Sequence, residues 1–328
     1  MHILQELKSR AAKIGGSIVL PEASDQRTLE AAAQIVKEQI ARVILLGGEA
    51  AILSHAKKLN LDLSGCQIID PQTSKDFPVY AEALYEKRKE KGMSFSDAEI
   101  AMQNPLYFGA MMVKMGKASG MVAGAANTTA DVLRSALHVV GVTPGLKTVS
   151  SSFIMVSPRS EDPCYLFADC AVVPNPTAEQ LADIASSTAQ TRRSILGDEA
   201  KVALLSFSTK GSAEHELVEK VREAKAILDS RKVDFAYDGE MQLDAAIVEK
   251  IARSKAPHSP VAGKANTLVF PDLQAGNIGY KLVQRLGGYE AIGPIIQGLA
   301  APICDLSRGC STEDIVNTSI LVLLMSNK

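Results

Sequence analysis

The chain has 328 residues, 46% of them apolar, and its 35 lysines and arginines against 37 acids leave a net charge of −2. That length exceeds what one core ordinarily fills, so two domains are expected, and the composition excludes a disordered or fibrous chain. The even charge gives no footing for nucleic acid or a membrane surface, so an anionic ligand needs a local group of arginines.

Short β-rich runs alternate with longer helical patterns, which predicts an α/β architecture with mostly parallel strands flanked by helices. A strand at 17–20 precedes a helix over 25–38, with Leu29, Ala32, Ala33 and Val36 on one face. Strands at 42–46, 67–69 and 120–123 follow, and a second set lies at 148–155, 164–168, 201–206, 235–237 and 266–269. Within that set Thr177-Ala178-Glu179-Gln180 is a capping box that opens a helix. Residues 212–228 carry Leu217, Val221, Ala224 and Leu228 on one stripe. Glycine and proline punctuate the chain at 141–145 and again near 287–288 and 293–294. Two crossings predict a discontinuous first domain, 1–145 with 294–328, and a second over 146–293. The C-terminal segment then faces a cleft between them, a common place for ligands.

The five cysteines (66, 164, 170, 304 and 310) are odd in number and never spaced Cys-x-x-Cys. This argues against a disulfide framework or structural zinc and suits a reducing cytoplasm. The N-terminus has no apolar stretch of signal-peptide length, and no apolar run approaches the roughly 18 residues of a membrane helix. Glycine-rich nucleotide fingerprints, His-Glu-x-x-His and Gly-x-Ser-x-Gly are missing, and the five histidines are scattered. The nearest metal candidate is Asp234 with Asp238 and Glu240, acids that equally suit a strand end capping the next turn.

Three segments carry chemistry. Ser307-Arg308-Gly309 forms a short turn before an apolar helix whose first turn holds Asp314. A cation, a hydroxyl, helix N–H groups and a carboxylate thus fall within one turn, able to hold an anion and accept a proton; Ser311–Asp314 is also an ordinary helix cap. Gly124-Ala125-Ala126-Asn127-Thr128-Thr129 leads an apolar strand into a helix bearing Arg134. Small residues there allow close approach to the backbone, one threonine can cap the helix, and the N–H groups suit a phosphoryl group. Lys281 and Arg285 share a helix face, which reads equally as a solvated basic surface. Arg88 sits in a mixed charge run, Lys87-Arg88-Lys89-Glu90-Lys91.

In this order the segments resemble the phosphate acetyl/butyryltransferase family over essentially the whole chain. The likeness includes Leu20-Pro21-Glu22 with Asp25 and Arg27, the 124–134 segment and Val173-Pro174-Asn175-Pro176-Thr177. It continues through Asp238-Gly239-Glu240, Asn277 to Arg285, and Pro302 to Val316. The resemblance implies reversible acetyl transfer between coenzyme A and phosphate, with coenzyme A as a substrate and no metal or permanently bound cofactor. It implies two α/β domains like those of isocitrate and isopropylmalate dehydrogenases, an active-site cleft, and a homodimer. By position it makes Asp314 the base and Ser307–Arg308 the active-site pair, with Arg88, Arg134 and Arg285 as substrate arginines. Asn127, Thr128, Thr129 and Lys281 join them as binding candidates. The chain departs from the family pattern at Asn127, where histidine is common, and at Ser135, where proline often stands.

The expected mechanism is direct attack of the coenzyme A thiolate on acetyl phosphate in a ternary complex. A thiol and an aspartate differ by about 4.6 pKa units, roughly 6 kcal/mol against proton transfer. The base therefore needs a guanidinium beside the sulfur. Butyryl transfer is the nearest alternative; a metal-dependent dehydrogenase of related fold and a non-catalytic acyl-coenzyme A module are more distant.

Overall fold

A computed structural model describes residues 2–159 and 161–327. The chain divides into two compact units, Met1–Thr143 with Leu299–Lys328, and Pro144–Gly298. The division thus falls at 143/144 and 298/299. The break expected at Gly293-Pro294 lies inside a strand, where an irregularity between Ile292 and Ile295 accommodates a residue without an N–H.

The first unit contains α1 (His2–Ile14), β1 (Ser17–Leu20), α2 (Gln26–Lys37), β2 (Arg42–Leu46), α3 (Glu49–Lys58) and β3 (Cys66–Ile69). It continues with α4 (Phe77–Arg88), a 3₁₀ turn (Lys89–Lys91), α5 (Phe95–Met102), α6 (Pro105–Lys114), β4 (Gly120–Ala123) and α7 (Thr129–Val139). The end of the chain returns to it as β11 (Ile303–Asp305) and α13 (Thr312–Ser326). Its sheet is parallel throughout, in the order β11-β4-β1-β2-β3. Alternation sends Val19, Ile44, Leu46, Met121, Ala123 and Ile303 into a core with α4 to α7. The intervening Ile18, Leu20, Val43, Leu45, Val122 and Cys304 are buried on the other face, where α2 and α13 pack and α1 packs on α13. The chain moves from β1 outward to β3 and then returns to the opposite side of β1. The direction of winding therefore reverses between β1 and β4, and ligands of open α/β sheets gather at the carboxyl ends of such strands.

The second unit contains β5 (Ser150–Val156), β6 (Tyr165–Ala168), α8 (Ala178–Leu196), β7 (Lys201–Leu205), α9 (Glu216–Arg231) and β8 (Ala236–Met241). There follow α10 (Leu243–Ile247), α11 (Glu249–Lys255), β9 (Thr267–Val269), α12 (Leu273–Gly287) and β10 (Glu290–Gln297). The sheet order is β10-β5-β6-β9-β7-β8, with β5 antiparallel to both its neighbours and the other pairs parallel. Thr177 and Gln180 form the expected capping box of α8.

Some helix faces differ from expectation. In α9 the helix starts at Glu216, Val218 is buried with Val221, Ala224 and Leu228, and Leu217 is 46% exposed. A neighbour at position 218 fits the same stripe, which periodicity alone does not distinguish. In α2 Leu29 and Ala32 are buried as expected, but Ile35 takes the place assigned to Ala33 and Val36, which are only half-buried.

Candidate functional site

Three loops leave the carboxyl ends of the adjacent strands β1, β4 and β11, and two side chains from the β1 loop and α2 tie them together. Glu22, 5% exposed, turns back across the reversal point. Its Oε2 accepts from the N–H groups of Gly124 and Ala125, both at 2.9 Å. Its Oε1 accepts from the N–H groups of Ala126 (3.0 Å) and Asn127 (2.7 Å) and from Asn127 Nδ2 (2.7 Å). The backbone of these small residues, expected to admit a ligand closely, thus has its N–H groups filled by a carboxylate of the chain itself. The loop needs a buried acceptor because it folds inward, and Glu22 supplies it at short range.

Gly124 is required there. Its φ is +109°, and a Cβ would lie 2.5 Å from Asp305 Oδ1 and from the Leu306 carbonyl oxygen.

Arg27 reaches in the other direction. Its guanidinium donates to the carbonyl oxygens of Arg308 and Cys310, both at 2.8 Å, and to that of Ala125 at 2.7 Å. Asp25, the N-cap of α2, accepts from Arg27 Nε and Nη2 at 3.0 and 2.7 Å. The Arg27 hydrogen bond holds the Asp25 carboxyl below the usual carboxylate range, against a smaller upward effect of burial. A single planar fork therefore fixes the β4 loop against the turn that carries Ser307 and Arg308.

That turn has the expected local form. Ser307 Oγ accepts from Gly309 N–H at 3.2 Å, and Cys310 N–H donates to the Ser307 carbonyl oxygen at 2.9 Å. Ser307, Arg308 and Gly309 are exposed, and the Arg308 guanidinium makes no hydrogen bond or ion pair among the described residues. Ser311 and Asp314 form the capping box of α13: Asp314 Oδ2 accepts from Ser311 N–H (2.8 Å) and Oγ (2.9 Å), and Ser311 Oγ accepts from Asp314 N–H (3.1 Å). The cap and the site reading coexist, because Asp314 is exposed and its Oδ1 makes no hydrogen bond among the described residues. Cys310 is buried beside it. Burial pushes its thiol up, Arg27 partly opposes this, and Asp314 adds to it, which makes Cys310 a poor nucleophile at neutral pH.

On the β4 side the hydroxyls divide their work. Thr128 caps α7, accepting from Asp131 N–H at 3.2 Å and donating to Asp131 Oδ2 at 2.7 Å. Thr129 donates to Asp305 Oδ2 at 2.6 Å. Asn127 Nδ2 and Thr128 Oγ1, both expected to meet substrate, are thus committed to protein partners and shape the loop. Arg134 is exposed and pairs with Asp131 at 2.7 Å.

Arg88, at the end of α4, lies close enough to Arg134 that both cations act on the same two side chains, Tyr107 and His138. Tyr107 Oη and His138 Nδ1 are 2.9 Å apart, and Arg88 Nε is buried without a hydrogen-bond partner among the described residues. Burial first, then Arg88, Arg134 and Lys91, push the His138 imidazole down and favour its neutral form. Beside them Lys87 donates to the Val139 carbonyl oxygen at the end of α7, and burial brings its ammonium down to about 8. Lys87 and Arg88 at the end of α4 and Arg134 on α7 thus place three cations near Tyr107 and His138 or the end of α7, with Asp131 paired to Arg134.

In the second unit Lys281 and Arg285 are exposed on α12, with Lys281 Nζ 5.9 Å from the Tyr280 ring centroid. Asp238 and Glu240 lie within β8, and Asp234 precedes it. Asp234 pairs with Arg193, Asp238 with Lys210 and Glu240 with Arg222, so each carboxylate already faces a cation. Among the described residues no three His, Cys, Asp or Glu side chains gather as a metal site.

Glu22, Arg27 and Asp305 were not singled out for chemistry in the sequence. A Pro-Glu pair directly after a strand, and an acid directly before Leu306-Ser307-Arg308, were the available signals.

Residues 2–323 match the family described as phosphate acetyl/butaryl transferase. A phosphate acetyltransferase of Treponema pallidum is 52% identical over 334 aligned residues, covering 100% of this chain and 99% of that protein. The crystal structure of a phosphotransacetylase from Streptococcus pyogenes superposes with a TM-score of 0.93 at 44% identity, covering 99% and 98% of the two chains. A structure described as that of a 4-hydroxythreonine-4-phosphate dehydrogenase from Salmonella typhimurium has a TM-score of 0.54 at 11% identity, covering 94% and 99%, and shows the fold alone. By the extent of these matches, the chain belongs to the phosphate acetyl/butaryl transferase family.

Proposed function

We propose that the chain is a phosphate acetyltransferase, converting acetyl-coenzyme A and phosphate reversibly into acetyl phosphate and coenzyme A, with its chemistry at the β4 and β11 loops. The observation that carries the site assignment is the Ser307–Asp314 segment, held by Arg27 and carrying an exposed guanidinium and an exposed carboxylate oxygen that have no partner among the described residues. The thiol proton passes to Asp314 Oδ1. Arg308 stabilises the sulfur anion, which offsets the roughly 6 kcal/mol mismatch between an ordinary thiol and an ordinary aspartate. The thiolate attacks the acetyl carbonyl carbon and phosphate leaves. Ser307 Oγ accepts from Gly309 N–H and keeps its own hydrogen for the developing oxyanion. Arg134 and Arg88 bind the phosphoryl oxygens, with Arg285 and Lys281 as further proposed contacts to substrate phosphates. Neither resident metal nor permanently bound cofactor enters these steps.

Arg308→Ala and Arg134→Ala should each lower kcat/KM for acetyl phosphate by on the order of 10²- to 10³-fold. Lysine should restore only part of it, because an ammonium lacks the bidentate fork. The assay follows thioester formation from acetyl, propionyl and butyryl phosphates with coenzyme A. Full restoration by lysine at both positions would contradict bidentate recognition, and a preference for butyryl phosphate would favour the butyryl alternative.

A homodimer is proposed through the second unit. Ile278, Leu282 and Leu286 project from α12 at i, i+4 and i+8 with exposures of 56%, 51% and 82%. Ala275, one turn earlier, lines an apolar hollow with Phe207, Leu217 and Leu243, so the uncovered surface is continuous. A second copy covering it removes a patch of the kind monomers rarely expose. Sedimentation should give a dimer, and Leu282→Glu with Leu286→Glu a monomer; an unchanged dimer would place the interface elsewhere. A cytoplasmic location is proposed with it, in keeping with five cysteines that include no Cys-x-x-Cys pair; no helix among the described residues is long and apolar enough to cross a membrane.

A further inference from the structure

Asp305 closes β11 directly before the Leu306-Ser307-Arg308 turn, and no step above uses it. It is 4% exposed, and its Oδ1 is buried without a hydrogen-bond partner among the described residues. The neighbouring Leu306 N–H, which donates to the Ala123 carbonyl oxygen at 2.7 Å, also lowers its affinity for a proton, the least of the influences on this carboxyl. Among the described residues its one hydrogen bond from another side chain comes from Thr129 Oγ1 at 2.6 Å. Thr129 itself is exposed at the mouth of the β4 loop. The pair therefore joins a buried carboxyl to the hydroxyl of an exposed residue in the first turn of α7, the helix that carries Arg134.

We propose that Thr129 and Asp305 form a proton switch under the anion site, in which arrival of a phosphate-bearing ligand places a proton on Asp305 and frees Thr129 to donate to a ligand oxygen. The hydrogen bookkeeping is simple. When Asp305 is ionised, the Thr129 hydrogen is held by Oδ2 and cannot serve a ligand. When Oδ2 is protonated, the carboxylic acid donates to Thr129 Oγ1, and the threonine hydrogen turns outward. The proton comes from solvent, and no covalent bond other than O–H changes.

The surroundings favour this. Burial raises the Asp305 carboxyl to about 6, the Thr129 bond opposes it, and the Glu22 charge from the β1 loop adds to it. Arg27 lies nearby on Ala125 and Cys310 but is paired with Asp25 and makes no bond to Asp305. Asp314 and Arg308 from the α13 side, and the Asp131–Arg134 pair from α7, are the remaining charged groups around the loops. A carboxyl poised just below neutrality is carried across it by a second negative charge placed above it. The same arrangement gives the reverse effect: a deprotonated Asp305 repels the anion and withholds the hydroxyl. Phosphate affinity should therefore fall as pH rises through the titration of Asp305.

This inference rests on the site reading above, and the experiment separates the two. Inorganic phosphate is titrated calorimetrically into the full chain at pH 6.5 and 8.5, each in two buffers of different ionisation enthalpy. Thr129→Val should weaken binding about tenfold at pH 6.5, the effect of one lost hydrogen bond to a charged group, and much less at pH 8.5. Thr129→Ser should restore the wild-type behaviour. At pH 6.5 the wild type should take up more protons than Asp305→Asn, whose amide donates permanently to Thr129 and so makes the donor available at both pH values. Equal losses for Thr129→Val at both pH values, or equal proton counts for wild type and Asp305→Asn, would overturn the switch. If Arg308→Ala and Arg134→Ala leave phosphate binding unchanged, the site reading itself fails. If they weaken it while the Thr129 effect ignores pH, only the switch fails.

Discussion

Asp314→Asn should lower kcat by on the order of 10²- to 10⁴-fold, the range for loss of a general base, with little change in KM for coenzyme A. The reason lies in the division of its two oxygens. Oδ2 belongs to the capping box with Ser311, while Oδ1 is left for the thiol proton. Asparagine retains one acceptor for the cap, so α13 should lose no more than about 1 kcal/mol. Activity and stability thus respond differently, and steady-state kinetics beside a thermal melt measures both. Near-normal turnover would remove Asp314 from the role of base. A large stability loss with a proportionate activity loss would reduce it to a helix cap.

The second large effect is structural and concerns Glu22. Removing its carboxylate in Glu22→Ala leaves four backbone N–H groups and one side-chain amide without their acceptor. Each buried unsatisfied group costs about 1–3 kcal/mol, and water entry or loop movement relieves part of the sum. The net destabilisation should be about 3–5 kcal/mol by urea unfolding, at the upper end for a single substitution. Glu22→Gln should be almost as harmful. Its amide nitrogen must face either Gly124 and Ala125 or Ala126 and Asn127, where donors already point inward. A loss below about 1 kcal/mol in either variant would show that the loop does not depend on this acceptor.

These two residues also mark what sequence alone could and could not reveal. Ser307, Arg308, Ser311 and Asp314 lie within one turn, so their grouping is a local property that spacing reports directly. The strands at Ser17–Leu20 and Gly120–Ala123 were legible as short apolar runs between helical patterns. Glu22 meets its loop across about a hundred residues, and Arg27 meets Arg308 and Cys310 across nearly the whole chain. No periodicity encodes such a meeting. It arises because parallel pairing places the ends of β1, β4 and β11 side by side. β11 and β10 escaped notice for different reasons. The first is three residues long, and the second contains Gly293-Pro294, which ordinarily signals a break. Asp305 looked like a simple strand end, because burial and the orphaned Oδ1 are properties of packing.

In the proposed reaction acetyl passes directly from phosphate to sulfur with no acetylated protein between. Exchange of isotopically labelled phosphate into acetyl phosphate, measured with and without coenzyme A, tests this most directly. Direct attack predicts exchange only when coenzyme A is present, because the acetyl group can leave phosphate only for a thiolate. Rapid exchange in its absence, together with acetyl trapped on a side chain such as Cys310, would contradict it.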